Sequence, residues 1–122
     1  MKYLLLLNNA AEQWAEWQQL SADEAHERRE QMLPRWAALM EWMGEQGIEA
    51  SGLELDDPAK ARVVRVRDGE TVVTDGPFLE TKEVLGGYFL ADCKDLDAAI
   101  ELAQRVPLVG SGSVEIRPVV TH

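Results

Sequence analysis

The sequence is poor in several residue types, and each shortage argues against a class of protein. Its 122 residues include one cysteine, Cys93, so no disulfide can form within the chain and no cysteine-rich zinc site can be built. Only 12 Lys and Arg stand against 22 Asp and Glu, which gives a net charge of −10. Nucleic acids and anionic membranes bind clustered basic residues, so we expect neither as a partner.

Long hydrophobic runs are also absent. The longest, such as Leu4–Leu7 and Val84–Ala91, fall far short of the ~20 residues that cross a bilayer. The first residues, Met1-Lys2-Tyr3, lead directly into a strand-like stretch and not into a secretory pattern with a small-residue cleavage site. These features predict a cytoplasmic protein.

Metal ligands are scarce as well. The chain has two histidines, His26 and His122, and no His, Asp or Glu spacing recurs on one helix face. We therefore expect no metal site and no cofactor. The length predicts a single domain over residues 1–122, because about 100–200 residues is usual for one domain.

The first half of the chain predicts a strand followed by two helical segments. Lys2–Leu7 is a short apolar stretch, and we expect the turn formers Asn8-Asn9 to end it. Ala10–Leu20 predicts a short helix that carries Trp14 and Trp17. These two tryptophans could line the mouth of a pocket or a dimer seam, and the sequence leaves both open.

A capping box starts the main helix, because Ser21 is followed three residues later by Glu24. Pro34 lies inside the apolar pattern of this helix, so we expect a kink or a break into two helices there. Gly44 and Gly47 are candidate residues for the end of the helix. A second strand is predicted over Glu49–Leu55. The apolar positions of the main helix are Ala25, Met32, Trp36, Leu39, Met40 and Met43.

The clearest local signal is a β-hairpin. Arg62–Arg67 and Glu70–Thr74 flank Asp68-Gly69, a pair that favours a two-residue type I′ turn. With that turn, Arg67 faces Glu70 across the ribbon. The hairpin interrupts the alternation of longer strands and helices, so it is interpreted as an insertion.

The second half predicts a strand, a helix and a closing strand. Glu83–Asp92 is the strand, with Gly86-Gly87 in its middle, where either a bulge or the close approach of a ligand would favour glycine. Asp95 is expected to cap a helix over Leu96–Val106, and Val114–Val119 follows as the last strand. The predicted apolar stripe of the helix is Leu96, Ala99, Ile100 and Ala103.

The predicted order, without the hairpin, is βαββαβ. This order is typical of a ferredoxin-like α+β fold, an antiparallel sheet with both helices on one face. The other face of such a sheet is left bare. An apolar bare face needs a partner, so we expect a homodimer that packs sheet on sheet.

Candidate functional residues cluster around the start of the Gly-Gly strand. Asp75 could act as a general base, and Lys82 could stabilise an anionic ligand or intermediate; Glu80, Glu83 and Tyr88 are the candidate ligand-binding residues. The structural alternative is that Asp75 closes a turn and that the charged side chains form a solvated ion-pair network.

The run from Thr74 to Tyr88 closely resembles the signature of the YCII-related family, in its DGPF subgroup. The matching residues are Asp75, Gly76, Pro77, Phe78, Glu80, Lys82, Glu83, Gly86, Gly87 and Tyr88. The resemblance extends over nearly the whole chain. It implies a dimeric α+β barrel built from ferredoxin-like units.

The resemblance implies less about chemistry. Related proteins carry a proposed His–Asp pair whose histidine falls on the first main helix, where this chain has Met32–Trp36 and no histidine, with His26 earlier. Two functions are therefore considered. The first is binding of a small organic molecule, with proton transfer in an elimination or isomerisation. The second is a non-catalytic ligand-binding or interaction module associated with sigma-factor regulation, since some members of the subgroup are encoded beside sigma factors.

Overall fold

A computed structural model describes residues 1–76, 82–108 and 112–122. Within them the chain forms six strands, three α-helices and a single 3-10 turn, Pro58–Lys60. The strands are β1 (Lys2–Ala10), β2 (Glu49–Glu54), β3 (Arg62–Arg67), β4 (Glu70–Asp75), β5 (Glu83–Asp92) and β6 (Gly112–Pro118). The helices are α1 (Ala11–Gln18), α2 (Ala22–Glu45) and α3 (Leu96–Arg105).

The strand order confirms the ferredoxin-like α+β fold. Four antiparallel strands lie in the order β2-β5-β1-β6, and β3 pairs with β4 in a separate two-stranded ribbon. Omitting the ribbon and α1 leaves β1-α2-β2-β5-α3-β6, which is the βαββαβ order. The four-stranded sheet of one chain is open and does not close into a barrel. A barrel made with a second copy stays a prediction.

The core lies between the sheet and the helices. Leu5 in the middle of β1 and Leu102 of α3 are fully buried. Their neighbours in the core cluster are Tyr3, Leu7, Leu39, Met43, Ala91, Cys93, Ala99 and Val106. Alternation along β1 buries every second side chain, so Tyr3, Leu5 and Leu7 face the helices and the residues between them face the other side.

The predicted stripe of α3 was partly wrong. Leu96 and Ile100 are 49% and 40% exposed, whereas Leu102, which was not in the stripe, is fully buried. Ala99, Leu102 and Val106 recur at three and four residues and form the face that packs on the sheet. The predicted stripe and the observed buried face share Ala99. Which of the two faces is buried depends on where the sheet lies against α3.

Strand β1 is longer than predicted, because Asn8-Asn9 do not end it. The strand continues to Ala10, paired with β5 on one side and with β6 on the other. Its register with β5 shifts between Leu7 and Asn8, so Gly86 is an extra residue on β5 and forms a bulge. Two neighbouring strands hydrogen-bond these asparagines, and this pairing outweighs their local preference for a turn.

Helix α2 runs uninterrupted through Pro34, so of the two expected outcomes the break into two helices is wrong, and the kink stays a prediction. Pro34 removes one backbone donor, which leaves the carbonyl of Glu30 without its helical partner. Both residues are exposed, so water can hydrate that carbonyl. The predicted capping box is present: Ser21 Oγ accepts from the Glu24 amide, and Glu24 Oε1 accepts from the Ser21 amide, each at 3.2 Å. Hydrogen bonding of the Glu24 carboxylate to the Ser21 amide, and next to the Ser21 side chain, lowers the pKa of Glu24.

The hairpin formed as predicted. Asp68 and Gly69 have φ angles of 52° and 79°, and the left-handed conformation at both positions is that of a type I′ turn. Arg67 pairs with Glu70, as expected from the turn. Strand β4 extends one residue further than predicted, to Asp75. Helix α2 ends at Glu45, and Gly47, with φ of 68°, follows its end.

In the described parts of the chain, no helix is both long enough and apolar enough to cross a membrane.

Candidate functional site

A cavity of about 700 Å³ lies between the helices and the sheet. Helices α1 and α2 form one side, and the neighbouring ends of β1, β2 and β5 form the other. Pro107 and Leu108, which follow α3, close a further part of the wall. The cavity is therefore built where the short helix α1 leaves the sheet and α2 crosses above it.

Aromatic side chains dominate the helical part of the wall. Trp14 and Trp17 of α1 and Trp36 of α2 line the cavity with Phe89 of β5. The rings of Trp36 and Phe89 lie edge to face, with centroids 6.0 Å apart and an interplanar angle of 66°. The sequence left open whether Trp14 and Trp17 line the mouth of a pocket or a dimer seam. In the described chain both tryptophans line the cavity.

Glycines shape the strand side of the wall. Gly52, Gly86 and Gly87 border the cavity and present backbone instead of side chains. A Cβ atom on Gly52 would overlap the Tyr88 carbonyl oxygen and lie 2.6 Å from Cδ1 of Phe89. The close approach of β2 to β5 at this point therefore requires glycine at position 52.

Three charged residues are among the described lining: Arg28, Arg29 and Glu54. Nη2 of Arg29 lies 3.3 Å from Oε1 of Glu54, and its guanidinium stacks over the Trp17 ring at 5.1 Å from the centroid. All three charged side chains are exposed, so they stand at the opening of the cavity. The interior is apolar and aromatic, and the charges are at its mouth.

Two polar atoms in the wall lack a hydrogen-bond partner among the described residues. They are Oε1 of Gln13 and Nε1 of Trp14, both buried and both from lining residues of α1. Helix α1 is held at its ends instead. The Ala11 amide donates to the Lys82 carbonyl at 2.8 Å, and Nε2 of Gln18 donates to Oδ1 of Asp57 at 3.1 Å.

The predicted catalytic residues lie outside the described lining of this cavity. Asp75 ends β4, its side chain is 90% exposed, and its Oδ1 lies 3.4 Å from Nε of Arg62. Lys82 precedes β5 with an exposed side chain, and its backbone carbonyl anchors α1. Asp75 thus belongs to the ribbon and Lys82 to the four-stranded sheet.

The predicted ligand-binding residues are separated in the same way. Glu83 begins β5, and its Oε2 accepts a hydrogen bond from the Ser113 hydroxyl. Tyr88 is part of the cavity lining. It pairs with Leu6 and Leu53, so strand alternation places its ring on the face opposite to Leu5, and its backbone borders the cavity. Glu80 lies outside the described residues, as do Pro77 and Phe78 of the same motif.

The sequence analysis missed Arg28, Arg29 and Glu54 as site residues. A usable signal existed, because the apolar spacing of α2 continues backwards from Met40 through Trp36 and Leu33 to Arg29 at intervals of three and four residues. An arginine at the end of such a stripe is placed at the edge of the buried face.

His26 lies apart from the cavity in the described geometry. Nε2 of His26 lies 3.1 Å from Oε1 of Glu30 on the exposed side of α2, away from the cavity lining. Within the ranges that the structure describes, no group of three or more His, Cys, Asp or Glu side chains could hold a metal ion.

A match to a known protein family covers the whole chain. Residues 1–122 match the YCII-related domain family, and the chain belongs to that family. An uncharacterised protein of Rhizobium meliloti (strain 1021) is 44% identical over 64 residues, which cover 51% of this chain and 52% of that protein. The chain spans about half the length of this curated relative.

Proposed function

We propose that the protein binds a small, largely apolar organic molecule in the cavity between α1, α2 and the sheet. The observation that carries this proposal is the cavity itself. Its volume of about 700 Å³ lies within the ~300–1,000 Å³ usual for ligand pockets. An apolar aromatic interior with a few polar groups at its edge is the usual composition of such pockets.

The test uses N-phenyl-1-naphthylamine, a neutral dye that becomes fluorescent in apolar surroundings. We expect saturable emission with one dye per chain. In Met32→Trp a larger side chain fills the space beside Trp36, and the dye affinity should fall at least tenfold. Met32 is a half-buried lining residue.

Val120→Trp is the matched control, because Val120 is 73% exposed and lies outside the lining. This variant should bind the dye as the wild type does. Emission that does not saturate, or an equal loss in both variants, would contradict binding in the cavity. Circular dichroism checks that both variants keep the fold.

We further propose that the bound molecule undergoes a proton transfer, an elimination or an isomerisation. Asp75 is the proposed base and Lys82 the proposed electrostatic stabiliser, with Glu80, Glu83 and Tyr88 as ligand-binding residues. The support is that β5 connects Lys82, Glu83 and Tyr88 to the cavity: it begins next to Lys82, and Gly86 and Gly87 further along it line the wall.

Proton transfer is tested with 2-acetylnaphthalene, whose methyl protons are acidic. Wild-type protein in deuterium oxide should exchange these protons faster than buffer does, as followed by nuclear magnetic resonance. The exchange should be lost in Asp75→Asn and reduced in Lys82→Ala while dye binding persists. Exchange at the buffer rate in the wild type would contradict catalysis and leave the binding proposal intact.

The second candidate function is a non-catalytic ligand-binding or interaction module associated with sigma-factor regulation. One observation favours it: Asp75, Lys82 and Glu83 are exposed and lie outside the described lining of the cavity. Bound dye without proton exchange would support this candidate over the catalytic one.

We also propose that the protein is a cytoplasmic homodimer that packs through the helix-free face of its sheet. Leu6, Tyr88 and Leu53 are paired across three neighbouring strands on that face. Leu53 is a large apolar residue on the edge strand β2, at the end of this row, and it is 66% exposed. An apolar row of this kind is usually covered in an assembly.

A further inference from the structure

The opening of the cavity is positively charged on a protein that is strongly acidic. The whole chain carries a net charge of −10, yet the described lining holds two arginines and one glutamate. Both arginines come from the first half of α2, on neighbouring positions of the helix. The local charge is therefore opposite to that of the surrounding surface, and such a local field favours an anionic ligand.

Among the described residues, one of the two arginines forms an ion pair with a carboxylate and the other does not. Arg29 pairs with Glu54 at 3.3 Å and stacks on Trp17. Arg28 makes no hydrogen bond or ion pair within the ranges that the structure describes. Glu24, one turn before it on the helix, feels the charge of Arg28, but its carboxylate accepts a hydrogen bond from the Ser21 amide at the helix start. Arg28 is thus a cation at the opening with its donors available.

The interior behind Arg28 suits a flat ring. Trp36 and Phe89 meet edge to face, and Trp14 and Trp17 of α1 line the same cavity. Aromatic rings pack favourably on such walls in stacked or edge-to-face geometry.

We propose that the ligand is an aromatic carboxylate, with its ring between the tryptophans and its anionic group bound by Arg28. This inference rests on the proposed binding function and names the class of molecule that fills the cavity. The planar guanidinium donates two parallel hydrogen bonds to a carboxylate, which fixes the orientation of the ring. The negative charge of Glu54 does not oppose binding of the ligand's carboxylate, because Arg29 neutralises that charge.

The test compares two ligands of nearly equal shape, 2-naphthoate and the neutral 2-naphthamide. Dissociation constants are measured by isothermal titration calorimetry in low salt. In the wild type we expect 2-naphthoate to bind about tenfold more tightly than 2-naphthamide, which corresponds to one charge-assisted interaction. In Arg28→Gln the two constants should become equal through a loss of naphthoate affinity alone.

Arg35→Gln is the matched control, since Arg35 is an exposed arginine of α2 outside the lining and its replacement changes the net charge equally. The preference for 2-naphthoate should survive in this variant. Equal binding of the two ligands by the wild type overturns the carboxylate assignment but supports the cavity. A preference that persists in Arg28→Gln overturns the role of Arg28, and binding of neither ligand overturns the proposed function with it.

Discussion

At the scale of single residues, burial separates side chains that their sequence pattern makes look alike. Leu96 and Leu102 are both leucines of α3, but the first is 49% exposed and the second is fully buried. The contribution of each leucine to the free energy of unfolding depends on its contacts with the sheet and the other helix. Cys93, likewise, is 2% exposed and belongs to the core.

Replacing Leu102 with alanine should lower the free energy of unfolding by about 2–5 kcal/mol, because it leaves a cavity in a packed core. Leu96→Ala, which removes the same atoms from a half-exposed position, should cost less than about 1 kcal/mol. Urea unfolding followed by circular dichroism measures both. Equal losses would contradict the observed difference in burial between the two leucines.

The thiol of Cys93 should be slow to react in the native protein. Burial, and next the negative charge of Asp92, raise the pKa of this thiol, so the thiolate that attacks disulfide reagents is scarce at neutral pH. We expect 5,5′-dithiobis(2-nitrobenzoate) to react much faster in 8 M urea than in buffer. Similar rates in both solutions would mean that the thiol is accessible in the fold.

At the scale of elements, local signals succeeded where the chain forms its own contacts. The hairpin register follows from the two turn residues Asp68-Gly69, and the start of α2 follows from Ser21 and Glu24, which bond to each other. The end of β1 and the continuity of α2 did not follow from local signals. Pairing with two strands overrode Asn8-Asn9, and an exposed helix surface accommodated Pro34.

Two glycines in different elements should respond in opposite ways to alanine. Gly52→Ala should destabilise the fold by more than about 2 kcal/mol, because its Cβ has no space between β2 and β5. Gly44→Ala should stabilise it by about 0.5–1 kcal/mol, since Gly44 lies within α2 and its Cβ would have nothing within 4 Å. The midpoints of thermal unfolding of the two variants should therefore move apart, and a shift in the same direction would contradict the geometry at Gly52.

At the scale of the whole molecule, the helix-covered face and the helix-free face of the sheet differ in what they contact. Its helix-covered face builds the core and, where α1 diverges from it, the cavity. Its other face carries the row of Leu6, Tyr88 and Leu53. If this row is an interface, the acidic surface elsewhere keeps the assembly soluble, because charge repulsion opposes further association.

The proposed dimer is tested by light scattering at micromolar concentration. The wild type should have twice the mass of the 13.6 kDa chain. Leu53→Lys should shift it to the monomer mass, because a charge in an apolar interface is costly to desolvate. Val120→Lys, at an exposed position away from the sheet face, should leave the dimer intact. A wild-type monomer would contradict the interface.

The sequence by itself determined the order of elements, the hairpin turn, the capping box of α2 and the family. Each of these depends on residues that are neighbours along the chain. The tertiary structure alone decided which face of α3 is buried, where β1 ends and where the cavity lies. Arg28 and Trp36 belong to α2 and Phe89 to the distant strand β5, so only packing of α2 on the sheet brings the three to one site. The net charge of −10 argued against nucleic acid as a partner. At the cavity opening the arginine makes the local charge positive. The charge of a site depends on which residues the fold places together, and the net charge of the sequence does not determine it.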